Sequence, residues 1–124
     1  MARVLLVEDE PNIAGIITFK LLREGHEVRC ESDVGTAAAA SVVFQPDVVV
    51  LDTSVGEGLP EEAFALIGSL AERCPVLALT ALRDQEAAAQ AVGRGATSAI
   101  EKPFKPTVLA RAVAQLVEAR APHA

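Results

Sequence analysis

Four stretches of the sequence carry side chains able to do chemistry, and each follows a short apolar run. Glu8, Asp9 and Glu10 follow Val4–Val7, and Asp52 follows Val48–Leu51. Thr80 and Ala81 follow Val76–Leu79, and Glu101, Lys102 and Pro103 follow Thr97–Ile100. If a fold gathers these run ends, carboxylates face a hydroxyl and an ammonium across one crevice. Carboxylates about 5 Å apart repel by roughly 3 kcal/mol per pair at an effective dielectric near 20. A hard divalent cation offsets that repulsion, and an oxygen-rich site with few protein ligands favours Mg²⁺. An anionic phosphoryl donor could then approach, and Asp52 is the expected nucleophile, giving an acyl phosphate. Such transfer depends mostly on positioning and charge neutralisation. Lys102 would neutralise phosphoryl oxygens and Thr80 would donate a hydrogen bond to another. Each residue also has a plainer reading: Asp9 and Glu10 as loop acids capping a helix, Asp52 in a turn, Thr80 as a cap, Lys102 on the surface. Those readings would all have to hold together in one crevice.

The elements that must position these residues are legible from periodicity. Continuous apolar runs at Val4–Val7, Val48–Leu51 and Val76–Leu79 suit strands buried on both faces, as in a helix-covered parallel sheet. Val28–Cys30 and Thr97–Ile100 are weaker and suit edge strands. Between them lie five helical stretches. Pro11 opens the first, which presents a broad apolar face of Ile13, Ile16, Ile17, Phe19, Leu21 and Leu22 and stops at Gly25. Ser32 or Asp33 caps an alanine-rich second helix that ends before Pro46. Pro60 opens a third, with Phe64, Ile67 and Leu70 on one face. Asp84 caps a fourth, ending near Gly93 and Gly95. Pro106 opens a fifth, apolar at Val108, Leu109, Ala112, Val113, Leu116 and Val117. Alternating strands and helices predict a doubly wound α/β fold of flavodoxin-like type, with a five-stranded parallel sheet of order 2-1-3-4-5. Its ligand crevice lies beyond the carboxyl ends of strands 1 and 3.

The 124 residues fit one domain, expected over residues 1–119, with a polar tail at 120–124. The hydrophobic fraction of 51% supplies a core without staples, and the net charge of −6 argues against direct nucleic-acid binding. No apolar run reaches the roughly 18 residues of a membrane span, and the N-terminus does not read as a secretory signal, so a cytoplasmic protein is expected. Cys30 and Cys74 have no metal-like spacing and are expected to be reduced packing residues.

Val-Glu-Asp-Glu-Pro-Asn (7–12), Asp-Val-Val-Val-Leu-Asp (47–52), Leu-Thr-Ala (79–81), Arg-Gly-Ala (94–96) and Lys-Pro-Phe (102–104) together resemble the receiver domain of bacterial two-component response regulators. The resemblance spans essentially the whole chain. It implies that Asp52 is the phosphoacceptor, Asp9 a direct Mg²⁺ ligand and Glu8 its acidic partner. It further implies a metal-ligating backbone carbonyl at Ser54, a switch hydroxyl at Thr80, a phosphoryl-binding Lys102, and a cis peptide before Pro103. The implied donor is a sensor histidine kinase or a phosphotransfer protein, and the implied output a downstream effector protein or domain. Such a protein is a switch that catalyses only its own aspartyl phosphorylation and dephosphorylation.

Two departures stand against that pattern. The family's Tyr or Phe three residues before the lysine is Ala99 here, so the usual inward turn of a ring cannot couple to Thr80, and a weaker or different response is expected across helix 4, strand 5 and helix 5. The loop after Asp52 reads Thr-Ser-Val-Gly-Glu-Gly-Leu-Pro (53–60), with Gly56 and Gly58 expected to loosen it. Both departures favour, weakly, an alternative: a pseudo-receiver that binds proteins without being phosphorylated. A flavin carrier would want a Ser/Thr/Gly-rich loop after strand 1, and a phosphohydrolase would keep its nucleophile there.

Overall fold

The computed structural model describes residues 2–56 and 60–120. Five strands alternate with five helices: β1 (Arg3–Val7), α1 (Pro11–Arg23), β2 (Glu27–Glu31), α2 (Val34–Phe44), β3 (Val48–Asp52), α3 (Pro60–Ala71), β4 (Val76–Thr80), α4 (Gln85–Gly93), β5 (Ser98–Glu101) and α5 (Pro106–Arg120). All pairings are parallel, in the order β2-β1-β3-β4-β5. The expected doubly wound fold and strand order are therefore observed. Pairing runs one residue further than the apolar runs, matching Asp52 to Leu79 and Thr80 to Glu101. Asp52 and Thr80 are thus the last residues of their strands, fixed by sheet hydrogen bonds rather than carried on loops.

Strand alternation divides the core in two. Val4, Leu6, Val48, Val50, Leu77 and Leu79 pack under α1 and α5, against Ile17, Leu21, Leu109 and Val113. Leu5, Val7, Val49, Leu51, Val76 and Ala78 pack under α2, α3 and α4, against Phe44, Phe64, Ile67 and Leu70. The expected apolar face of α1 is narrower than its composition suggested. Ile17 and Leu21 are buried, whereas Ile16, Phe19 and Leu22 are more than half exposed. A helix turns 100° per residue, so only the positions four apart meet the sheet.

The helix ends follow the side chains. Glu10 caps α1 by accepting from the N–H groups of Asn12 and Ile13, Asp33 caps α2 through Thr36, and Asp84 caps α4 through Ala87. Arg120, expected in a polar tail, instead closes α5. Its guanidinium donates to the backbone carbonyls of Pro46, Asp47 and Arg73 at 3.5, 2.9 and 3.1 Å, at the pole opposite the strand carboxyl ends. Residues 121–124 lie outside the described residues. Cys74 is buried as expected; Cys30 is exposed because β2 is an edge strand, and both are free thiols. Among the described residues, no helix is long and apolar enough to cross a membrane.

Gly95 turns the chain from α4 into β5 with φ +118°, and a Cβ there would lie 2.8 Å from the Cβ of Ala71. Gly95→Ala should lower unfolding free energy by about 2 kcal/mol, combining left-handed strain with the clash. A urea midpoint shifted by less than a quarter of that would contradict the reading.

Candidate functional site

Because every strand runs the same way, all five carboxyl ends meet on one rim. Alternation then decides which side chains look into the same space. Glu8 continues the Val4, Leu6 face of β1, and Asp52 continues the Val48, Val50 face of β3. Lys102 stands two residues beyond Ile100, which packs against that same layer. Glu8 and Asp52 are each 2% exposed. One carboxylate oxygen from each of Glu8, Asp9 and Asp52 lies within 4.8 Å of the others. Lys102 enters this cluster with its Nζ 2.6 Å from Asp52 Oδ2 and 3.2 Å from Glu8 Oε1.

Hydrogen bonds fix most of the remaining oxygens. Asp52 Oδ1 accepts from the Ser54 backbone N–H at 3.0 Å and from the Ser54 hydroxyl at 2.8 Å. Glu8 Oε2 accepts from the backbone of Asp9 and Glu10. Asp9 Oδ2 accepts from Gly56 N–H at 3.0 Å, so this acid ties the β1 end to the loop after β3. Gly56 has φ +79°, a conformation suited to glycine, and the expected looseness at this residue is replaced by an anchored amide. Gly58 lies outside the described residues. Glu8 Oε1 is buried and accepts no hydrogen bond; Lys102 Nζ is near enough to pair in charge but is not aligned to donate.

The charges respond to this crowding. Burial, together with the adjacent Asp52, raises the Glu8 carboxyl to about pKa 7, against the opposing pull of Lys102. Burial alone would raise Asp52, but the neighbouring Glu8 carboxyl and the hydrogen bonds from Lys102 and Ser54 outweigh it and hold Asp52 below the usual carboxylate range. Burial would lower Lys102, yet its hydrogen bond to Asp52 and the charges of Asp52 and Glu8 raise it, so it stays an ammonium. The crowding thus favours a proton on Glu8 and disfavours one on Asp52, beside a charged Lys102.

Thr80 ends β4, is 2% exposed, and its carbonyl accepts from Lys102 N–H at 2.8 Å. The strand carrying Thr80 and the segment carrying Lys102 are therefore tied at the rim. The Lys102–Pro103 peptide is cis, as the resemblance implied. Ala99 is partly buried and packs against the layer under α2, α3 and α4. All six anticipated residues, Glu8, Asp9, Asp52, Ser54, Thr80 and Lys102, fall on this rim. Two contributions were not anticipated. The Ser54 hydroxyl joins its carbonyl as a contributor; the backbone N–H of Ser54 on Asp52 is a familiar local turn bond, and the hydroxyl adds a second donor to the same oxygen. Glu101, by sequence a strand-end acid, accepts on its carboxylate from Arg83 N–H at 2.7 Å, a contact that no local pattern announces.

The sequence matches the response regulator receiver domain family over residues 4–114. The chain belongs to that family. As a receiver, it is 34% identical over 107 residues to the transcriptional regulatory protein KdpE of Mycobacterium tuberculosis, covering 84% of this chain and 46% of that protein. It is 31% identical over 102 residues to the regulatory protein AtoC of Escherichia coli, covering 82% of this chain and 22% of that protein. The receiver thus spans less than half the length of these curated relatives. The solved receiver domain of NtrX from Brucella abortus superposes with a TM-score of 0.84 at 32% identity, covering 93% of this chain and 98% of that one. The Francisella response regulator 1452 receiver domain shares the fold, with a TM-score of 0.86 at 23% identity, covering 98% of this chain and all of that one.

Lys102→Met should leave two buried carboxyl groups without their cation and lower stability by about 2 kcal/mol at pH 7. Adding Asp52→Asn should recover part of that loss in a double-mutant cycle followed by urea unfolding. Strict additivity of the two substitutions would show that the 2.6 Å pair contributes nothing.

Proposed function

We propose that this receiver accepts a phosphoryl group on Asp52, in a Mg²⁺-dependent transfer from a sensor histidine kinase or phosphotransfer protein, and that the modification switches a downstream effector. The observation that carries the reading is the Lys102 ammonium on Asp52 Oδ2 within a three-carboxylate cluster. No structural need of the fold calls for that much negative charge on one rim, whereas phosphoryl transfer does. Cytoplasmic placement is part of the same proposal.

The donor set fits a hard divalent cation. It consists of carboxylate oxygens, and the buried Glu8 Oε1 has no hydrogen bond of its own. Asp9 and Asp52 would hold Mg²⁺ directly, with Glu8 beside them and the Ser54 carbonyl as a further ligand. The bound ion supplies charge neutralisation between the acidic rim and an anionic donor. The chain's own residues do the rest. An Asp52 carboxylate oxygen attacks phosphorus, and the bond from phosphorus to the departing nitrogen or acetate oxygen breaks with its electron pair. Lys102 is already placed to move from the carboxylate to a phosphoryl oxygen. Thr80, at the neighbouring strand end, donates its hydroxyl to another. The low pKa of Asp52 keeps the nucleophile ionised at neutral pH.

Wild-type protein given acetyl phosphate and Mg²⁺ should gain one phosphoryl mass by intact mass spectrometry, and EDTA should prevent it. Asp52→Asn should gain none, and Lys102→Met should label about 100-fold more slowly. A wild type that stays unmodified under these conditions would instead support a protein-binding module that is not phosphorylated.

A further inference from the structure

The end of β4 and the turn that follows it, residues 81–84, are tied to the end of β5 at two points. Lys102 N–H donates to the Thr80 carbonyl at 2.8 Å, as strand pairing at a sheet edge allows. The second tie is not a sheet bond: Arg83 N–H donates to Glu101 Oε1 at 2.7 Å. Arg83 adopts φ +62°, an uncommon conformation for a residue with a side chain, and its amide serves this carboxylate. Asp84 N–H closes the turn onto the Ala81 carbonyl at 3.1 Å, and Asp84 then caps α4. Residues 81–84 therefore form a compact turn, and Glu101 holds its tip.

Ala99 and Glu101 lie two apart on β5 and share a face by alternation. Ala99 offers that face only a methyl group, and Glu101 adds a polar tie between the turn and the strand. We propose that Glu101 is a positioning residue. It latches the β4–α4 turn in the resting conformation and opposes the inward movement of Thr80 toward a modified Asp52. The proposal rests on the phosphoacceptor reading above. Thr80 ends β4 and leads directly into this turn through Ala81, so drawing Thr80 toward Asp52 pulls on the turn and draws Arg83 N–H away from a carboxylate fixed on β5. A charge-assisted hydrogen bond lost on activation weights the equilibrium toward the resting state.

Glu101 is exposed, so substitution there leaves the core untouched. Two variants of the whole chain, Glu101→Ala and Glu101→Gln, separate the hydrogen bond from the side chain's bulk and charge. Amide hydrogen exchange reports the Arg83 N–H, and titration with beryllofluoride in excess Mg²⁺ reports how readily the active state is reached. Glu101→Ala should unprotect the Arg83 amide, tighten apparent beryllofluoride affinity about fivefold and speed acetyl phosphate labelling in parallel. Glu101→Gln keeps an acceptor oxygen and should stay within about twofold of wild type. A Glu101→Ala protein that binds no more tightly, beside a wild type that labels normally, overturns the latch. So does an equal change in both variants, which would trace the effect to charge alone. If the wild type neither labels nor binds beryllofluoride, the phosphoacceptor reading fails and the latch falls with it.

Discussion

One ammonium among several carboxylates is the constraint on which this molecule turns. Glu8 and Asp52 are buried where water cannot screen them, and Asp9 stands at the edge of the same cluster. Lys102 is the cation that lets them share the space, 2.6 Å from one and 3.2 Å from the other. The compensation is incomplete: burial and Asp52 raise the Glu8 carboxyl despite Lys102, and amide and hydroxyl donors from Ser54 supplement the lysine around Asp52. A site in this condition has a strong electrostatic interest in any further positive charge and holds one ionised nucleophile in reserve.

A parallel sheet is what makes such an arrangement possible. Its strands end together, so residues far apart in the chain meet without any long loop. Its alternation sends Glu8 and Asp52 to one face, while the opposite alternation fills the second layer with Leu5, Val7, Val49 and Leu51. Extension of the strands through Asp52 and Thr80 adds stiffness, because the backbone of each is held in the ladder up to the reacting side chain. What remains adjustable is confined to the short turns beyond the strand ends.

The sequence exposed most of this because each functional residue ends an apolar run, and short apolar runs separated by helical periodicity have few alternative folds. Pro11, Pro60, Pro106, Asp33 and Asp84 marked helix starts correctly, since proline and acid caps act through local backbone chemistry. The features that local pattern does not disclose are those set by three-dimensional context. Ile16, Phe19 and Leu22 look like core residues by type but face away from the sheet. Cys30 is exposed on β2, a strand at the sheet edge. The bonds from Asp9 to Gly56 and from Glu101 to Arg83 join residues separated by 47 and 18 positions, with no periodic signature to reveal them.

The three carbonyls that accept from Arg120 give one end of the molecule a fastening that ties separate segments together. At the far pole, one guanidinium staples the last turn of α5 to the segments entering β3 and β4. Among the described residues, no side chain at the reactive rim donates to three main-chain carbonyls in this way; its ties from one segment to another include the bonds of Asp9 to Gly56 and Glu101 to Arg83. Thermal opening should therefore travel from the rim downward, and the foundation stays shut while the working edge breathes.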